Sequence, residues 1–135
     1  MSNPLAESCS AIEECYEYML AYAGQGVSGD SDGSIRSFLS RAAQALAGIE
    51  SAYVLAVAPV GPYAAFQAVL ARDASDSLAA VELVLAQPAI SSQLIDNLNA
   101  SIHLRALLTD LFLIDEILKA NQKQESPAGA AESAT

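Results

Sequence analysis

Tryptophan is absent from this chain, phenylalanine occurs three times and histidine once. With so few large rings, any core must be aliphatic and finely interdigitated. A single histidine removes the paired Glu-x-x-His ligands of a di-iron bundle site, and the residue three before His103 is Ala100. Basic residues are also few: six Lys and Arg stand against sixteen Asp and Glu, a net charge of −10. Such a surface repels phosphate backbones and anionic headgroups, so neither nucleic acid nor membrane is an expected partner. No uncharged apolar run reaches the ~18 residues of a membrane span. Met1-Ser2-Asn3-Pro4 has neither a basic nor an apolar leader pattern, so no signal peptide is expected. The two cysteines, Cys9 and Cys15, fall in one predicted helix, about 120° apart with a rise of about 9 Å, which rules out a disulfide between them. They read as small hydrophobes in a reducing, cytoplasmic compartment.

What is present is apolar and helix-forming. Hydrophobic residues make up 53% of the 135 and charged residues 16%, which excludes wholesale disorder and suits one domain. Ala and Leu dominate, the strongest helix formers. The first helix is predicted over 4–23, with Leu5, Cys9, Ile12, Tyr16, Met19 and Ala23 inward and Gly24 ending it in the left-handed manner of a C′ glycine. A Gly/Ser/Asp loop follows over 24–33. The second helix, capped by Asp32 or Ser34, reaches about Ala58 on Ile35, Phe38, Leu39, Ala42, Leu46, Ile49, Tyr53 and Ala56. Ala43, Ala47, Gly48 and Ser51 form a strip of small residues that would let a neighbouring helix approach closely. Pro59-Val60-Gly61-Pro62 breaks the chain, and Pro62 suits a first helical position. The third helix runs from 62 to about 87 with Phe66, Leu70, Leu78, Val81 and Leu85 inward, and a kink is expected near 73–77. Pro88 marks the last boundary.

A fourth helix is predicted from 91 or 92 to about 121, roughly 45 Å at 1.5 Å per residue. Leu104, Leu107, Leu111, Ile114 and Leu118 form one stripe, and Leu108, Phe112, Leu113 and Ile117 widen it beyond a single seam. A surface helix needs only a limited apolar arc. The excess points to a homodimer through this helix, with Leu104, Leu108, Leu111, Phe112 and Leu118 at the interface. The expected architecture is all-α: an antiparallel four-helix bundle over 1–121 and a disordered acidic Ala/Ser/Pro tail over 122–135.

Chance motifs carry no chemistry here. Gly24-Gln25-Gly26-Val27-Ser28-Gly29 matches G-x-G-x-x-G, but it follows a helix, not a strand, and no alternating α/β pattern surrounds it. Asp30, Asp32, Gly33 and Ile35 half-match an EF-hand loop. Ser28 at its first position and Leu39 at its twelfth remove the carboxylates that calcium needs, so these residues read as turn and cap. Asp96, Asn99, His103 and Asp110 line one strip of the last helix and read as its solvated face. Cys9 or Cys15 with His103 and Asp96 or Asp110 could be written as a triad, but Cys9 lies on the inward stripe, where a thiol is inert. No catalytic residue, metal site or cofactor is expected.

The N-terminal quarter is purely acidic: Glu7, Glu13, Glu14, Glu17, Asp30 and Asp32 all precede Arg36. Tyr18 and Tyr22 sit beside the glutamates, off the inward stripe. Tyrosine suits interfaces because its ring buries area while its hydroxyl stays wet. Glu13, Glu14, Glu17, Tyr18 and Tyr22 are therefore the expected face for another protein with a basic surface. In size and charge the chain resembles small acidic helical secretion chaperones, a likeness of composition without a shared motif, from which no residue role is carried over. The expected function is a non-enzymatic cytoplasmic interaction module: an adaptor, chaperone or regulatory subunit. The alternative is a bundle holding a small apolar ligand or cofactor, with His103 as the polar contact.

Overall fold

The computed structural model describes residues 3–24 and 34–125, the last four by their backbone alone. The described chain is all-helical: α1 (Pro4–Ala23), α2 (Ser34–Ala56), α3 (Pro62–Leu85), α4 (Ser92–Ala100) and α5 (Ile102–Glu125). The glycine-rich and EF-hand-like patterns of 25–33 lie outside the described residues, as does the expected tail from 126 onward. The helical backbone itself runs to Glu125, beyond the expected end at Asn121.

The starts of α1, α3 and α4 have local causes. The Asn3 side chain accepts from the Ala6 N–H at 2.7 Å, and Pro4 fills a position whose own N–H would be orphaned. Gly24 follows α1 with φ −74°, so the helix ends without the expected left-handed turn. Gly61 has φ +58°, a backbone that favours glycine, and it delivers the chain to Pro62 at the head of α3. Ser91 Oγ accepts from the Leu94 N–H at 3.0 Å and starts α4.

Two expectations about the helices are corrected. α3 is one continuous helix through 73–77, because Leu70, Ala74, Ser77, Val81 and Val84 keep one inward phase across the polar stretch. The expected fourth helix is broken at Ser101, whose ψ of 137° is extended. At about 100° per residue an unbroken helix would turn Leu98 about 140° away from Leu111, out of the core. The break re-phases the chain so that Ile95 and Leu98 are buried together with Leu104, Leu107 and Leu111. Ser101 Oγ then accepts from the Leu104 N–H at 3.4 Å and caps α5.

α1 packs on α2 and α4, α2 on α3, and α3 on α5, while α4 and α5 meet each other and complete the enclosure of one aliphatic core. The inward face of α1 is Leu5, Cys9, Ile12, Cys15, Met19 and Tyr22, so Cys15 and Tyr22 take the places expected for Tyr16 and Ala23. With α2 on one flank and α4 on the other, the buried arc drifts with the 3.6-residue period. Arg36 donates to the carbonyls of Leu85 at 3.1 Å and Gln87 at 2.8 Å, placing a cation at the negative end of α3. The small-residue strip of α2 is only partly used: a Cβ added at Gly48 would meet open space. No helix among the described residues is long and apolar enough to cross a membrane.

Candidate interaction face

α5 carries large apolar residues on more than one side, and those sides have different fates. Leu104, Leu108 and Leu111 are buried against the chain's own helices and are not open to a second subunit, contrary to their expected place at an interface. The walls of α3, α4 and α1 account for that part of the apolar excess. Leu118 is half-buried. On the outer side Phe112 is 54% exposed, Leu113 52% and Ile102 74%, and nothing within the described chain covers them. Arg105, Thr109 and Glu116 share this outer side, and neither Arg105 nor Glu116 makes an ion pair among the described residues. The Thr109 hydroxyl donates back to the Arg105 carbonyl at 3.0 Å, so its polar group is satisfied within the helix.

An apolar groove of about 270 Å³ adjoins this face. It is floored by Tyr53 and Ile114 and walled by Tyr63, Phe66, Leu113 and Ile117. The Tyr53 hydroxyl donates to the Tyr63 carbonyl at 2.8 Å across the Gly61–Pro62 turn, and the Tyr53 and Phe66 rings are 6.4 Å apart. Burial raises the Tyr53 phenol above its ordinary pKa, so it stays neutral and donating. The sequence placed Tyr53 and Phe66 in the core. It did not reveal that the proline turn folds Tyr63 and Phe66 back beside Tyr53 to leave a groove.

The acidic residues of α1 do not share one open face. Glu14 pairs with Arg41 at 3.1 Å, and Glu17 is exposed. Glu13 is half-buried, its carboxyl held above the ordinary range first by burial and then by Asp115 and Glu17, with Lys119 opposing. Tyr18 stacks on Phe38 with ring centres 4.3 Å apart, and the Arg41 guanidinium lies 5.7 Å from the Phe38 ring centre. Tyr22 is buried, contrary to its expected exposure, and its hydroxyl donates to the Ile90 carbonyl at 2.6 Å. Tyr22 therefore ties α1 to the α3–α4 connection.

The strip read as solvated on the last helix is also divided. Asp96 and His103 are exposed, with His103 Nδ1 3.9 Å from Asp76 Oδ2. Asn99 and Asp110 are buried. The Asp110 carboxyl is pushed up to about 7, first by burial and then by the neighbouring Asp73 carboxyl of α3, which it meets in a hydrogen bond. Asp110 Oδ2, both polar atoms of Asn99 and Ser77 Oγ are buried without a hydrogen-bond partner among the described residues. An alternating polar strip gave no sign of this, because the break at Ser101 swings Asn99 inward and α3 covers Asp110.

Cys9 and Cys15 are free, buried thiols pushed up to about 11 and about 12 by burial, so neither is a nucleophile at neutral pH. Among the described residues no group of three or more His, Cys, Asp or Glu is placed to hold a metal ion. His103 stands beside Asp76 and does not line the apolar groove. No protein-family model, curated protein or solved structure matches the chain.

Proposed function

We propose that the chain is a non-enzymatic protein-interaction module: a small acidic helical adaptor, chaperone or regulatory subunit that associates through the outer face of α5. The observation that carries this reading is the exposure of Ile102, Phe112 and Leu113 on a helix whose opposite side is core. An apolar strip at the surface marks a place where another surface docks. The architecture proposed for it is an antiparallel four-helix bundle, with α4 and α5 together forming the fourth rod. Asp76 meets His103 while Asp73 meets Asp110, an order that supports opposite directions for α3 and α5. The cytoplasm is the proposed compartment, since it suits two free thiols. A basic protein is the proposed hetero-partner of the acidic surface, with Glu17 and the exposed edge of Tyr18 in place of a continuous Glu13–Tyr22 face.

The second reading is a small apolar ligand in the groove of Tyr53, Tyr63 and Phe66. Its volume, about 270 Å³, is at the small end of ligand pockets, which ranks this reading second. Native mass spectrometry of gently purified full-length protein tests both. Association with a polypeptide, lost in Leu113→Asp with the helical melting curve unchanged, is the expected result. A monomer carrying a small non-protein adduct would replace the interaction reading with the ligand reading.

A further inference from the structure

Arg105, Thr109, Phe112 and Glu116 follow one another at spacings of four, three and four, so they lie along one line of α5. Eleven residues separate Arg105 from Glu116, about three turns or roughly 16 Å, which returns the two charges to nearly the same side of the helix. The arginine is near one end of the exposed strip and the glutamate near the other, with Thr109 and Phe112 between and Ile102 and Leu113 beside them. Lys119, one turn beyond Glu116 on the same helix, is engaged with Asp115 and also feels the Glu116 charge. Arg105 and Glu116 are left unpaired among the described residues.

This pattern is self-complementary under one operation. When two copies of α5 lie antiparallel about a twofold axis midway between Thr109 and Phe112, Arg105 faces the partner's Glu116 and Glu116 faces the partner's Arg105. Thr109 faces the partner's Phe112 in the same register. A parallel arrangement would instead set arginine against arginine and glutamate against glutamate. We propose that the occupant of the α5 outer face is a second copy of this chain, docked antiparallel in the register that pairs Arg105 with the partner's Glu116. This rests on the interaction reading above and names its partner. The interface is isologous, as a twofold dimer requires. The charge pairs set its direction and register, and the apolar residues between them supply the buried area.

Sedimentation velocity of the full-length chain over a range of concentrations, with Arg105→Glu, Glu116→Arg and the double variant, tests the proposal. The natural chain is expected to dimerise. Each single reversal places like charges opposite each other twice per dimer and weakens association about tenfold, equivalent to about 1.4 kcal/mol. The double variant restores it. Glu116→Arg discriminates best, because it lowers the net negative charge: general repulsion alone predicts tighter association and the proposed register predicts weaker. Both substituted positions, Arg105 and Glu116, are exposed, and thermal melting by circular dichroism checks that each variant keeps its fold. A chain that stays monomeric at about 100 µM, a range where even weak dimers with micromolar Kd are populated, overturns the proposal. So does a Glu116→Arg variant that associates more tightly, or a double variant that is not rescued. A monomeric chain that binds a different protein through Leu113 would overturn the second-copy occupant while leaving the interaction reading in place.

Discussion

Asp110 carries an electrostatic cost that sequence position alone does not announce. Its carboxyl sits at the α3–α5 seam against Asp73, and burial followed by that neighbour raises it to about 7 from an ordinary 3.8. In the unfolded chain Asp110 ionises as pH rises past about 4, whereas the folded chain holds the proton until about 7. The folded state therefore binds more protons across that window, stability falls as pH rises through it, and the full penalty stands above about 7. Asp110→Asn cannot ionise and can donate to Asp73. It is expected to be more stable than the natural chain at pH 8 by about 1–2 kcal/mol, a figure kept small because Asp73 is only partly buried and solvent reaches the pair. The gain should shrink towards pH 4. Urea unfolding at several pH values checks this, and parallel pH profiles for the two proteins would contradict the pairing.

At the scale of the helix, Ser101 decides how the last third of the chain meets the core. It ends α4, caps α5 through its hydroxyl at 3.4 Å from the Leu104 nitrogen, and turns Leu98 and Leu104 to the same interior. Ser101→Ala removes the cap and favours a continuous helix in the wrong phase. It should cost about 1 kcal/mol in chemical unfolding, while Ser101→Asp, another good cap, should cost little. The break was legible in principle: the stripe from Leu104 onward and the pair Ile95 and Leu98 cannot share one helical phase. Propensity and a single good stripe concealed it, since no proline or glycine marks the site. Pro4, Pro62 and the Ser91 cap announced the starts of α1, α3 and α4, because each acts locally, through a fixed φ or a side-chain hydrogen bond. The continuity of α3 was hidden for the converse reason, since Ala74 and Ser77 are small inward residues that look like an interruption in a count of large apolar side chains. Tyr22 was misplaced by one step of the period, and that step carries it from the surface to the core. Phe112 was readable as a surplus apolar residue. Arg105 and Glu116 were not, because exposed charges on a helix gain meaning only when the opposite face is known to be buried.

Across the whole molecule, charge and apolar exposure oppose each other. A chain of net charge −10 repels its copies at long range, yet the outer face of α5 leaves Phe112 and Leu113 half-exposed beside one unpaired cation and one unpaired anion. The long-range term acts over the entire surface and decays with a Debye length of about 10 Å at 0.1 M salt. The Arg105–Glu116 pairs of an antiparallel dimer act at contact, where salt screens them less. Association should therefore tighten several-fold as salt rises from about 0.02 M to about 0.3 M, the range over which the Debye length drops from about 20 Å to about 6 Å. The double reversal of Arg105 and Glu116 conserves net charge and should show the same slope. Sedimentation at these two salt concentrations measures it directly. An association that instead weakens with salt would mean that contact pairs dominate over the global charge, and the acidic surface would then be too weak a field to govern which copies or partners approach.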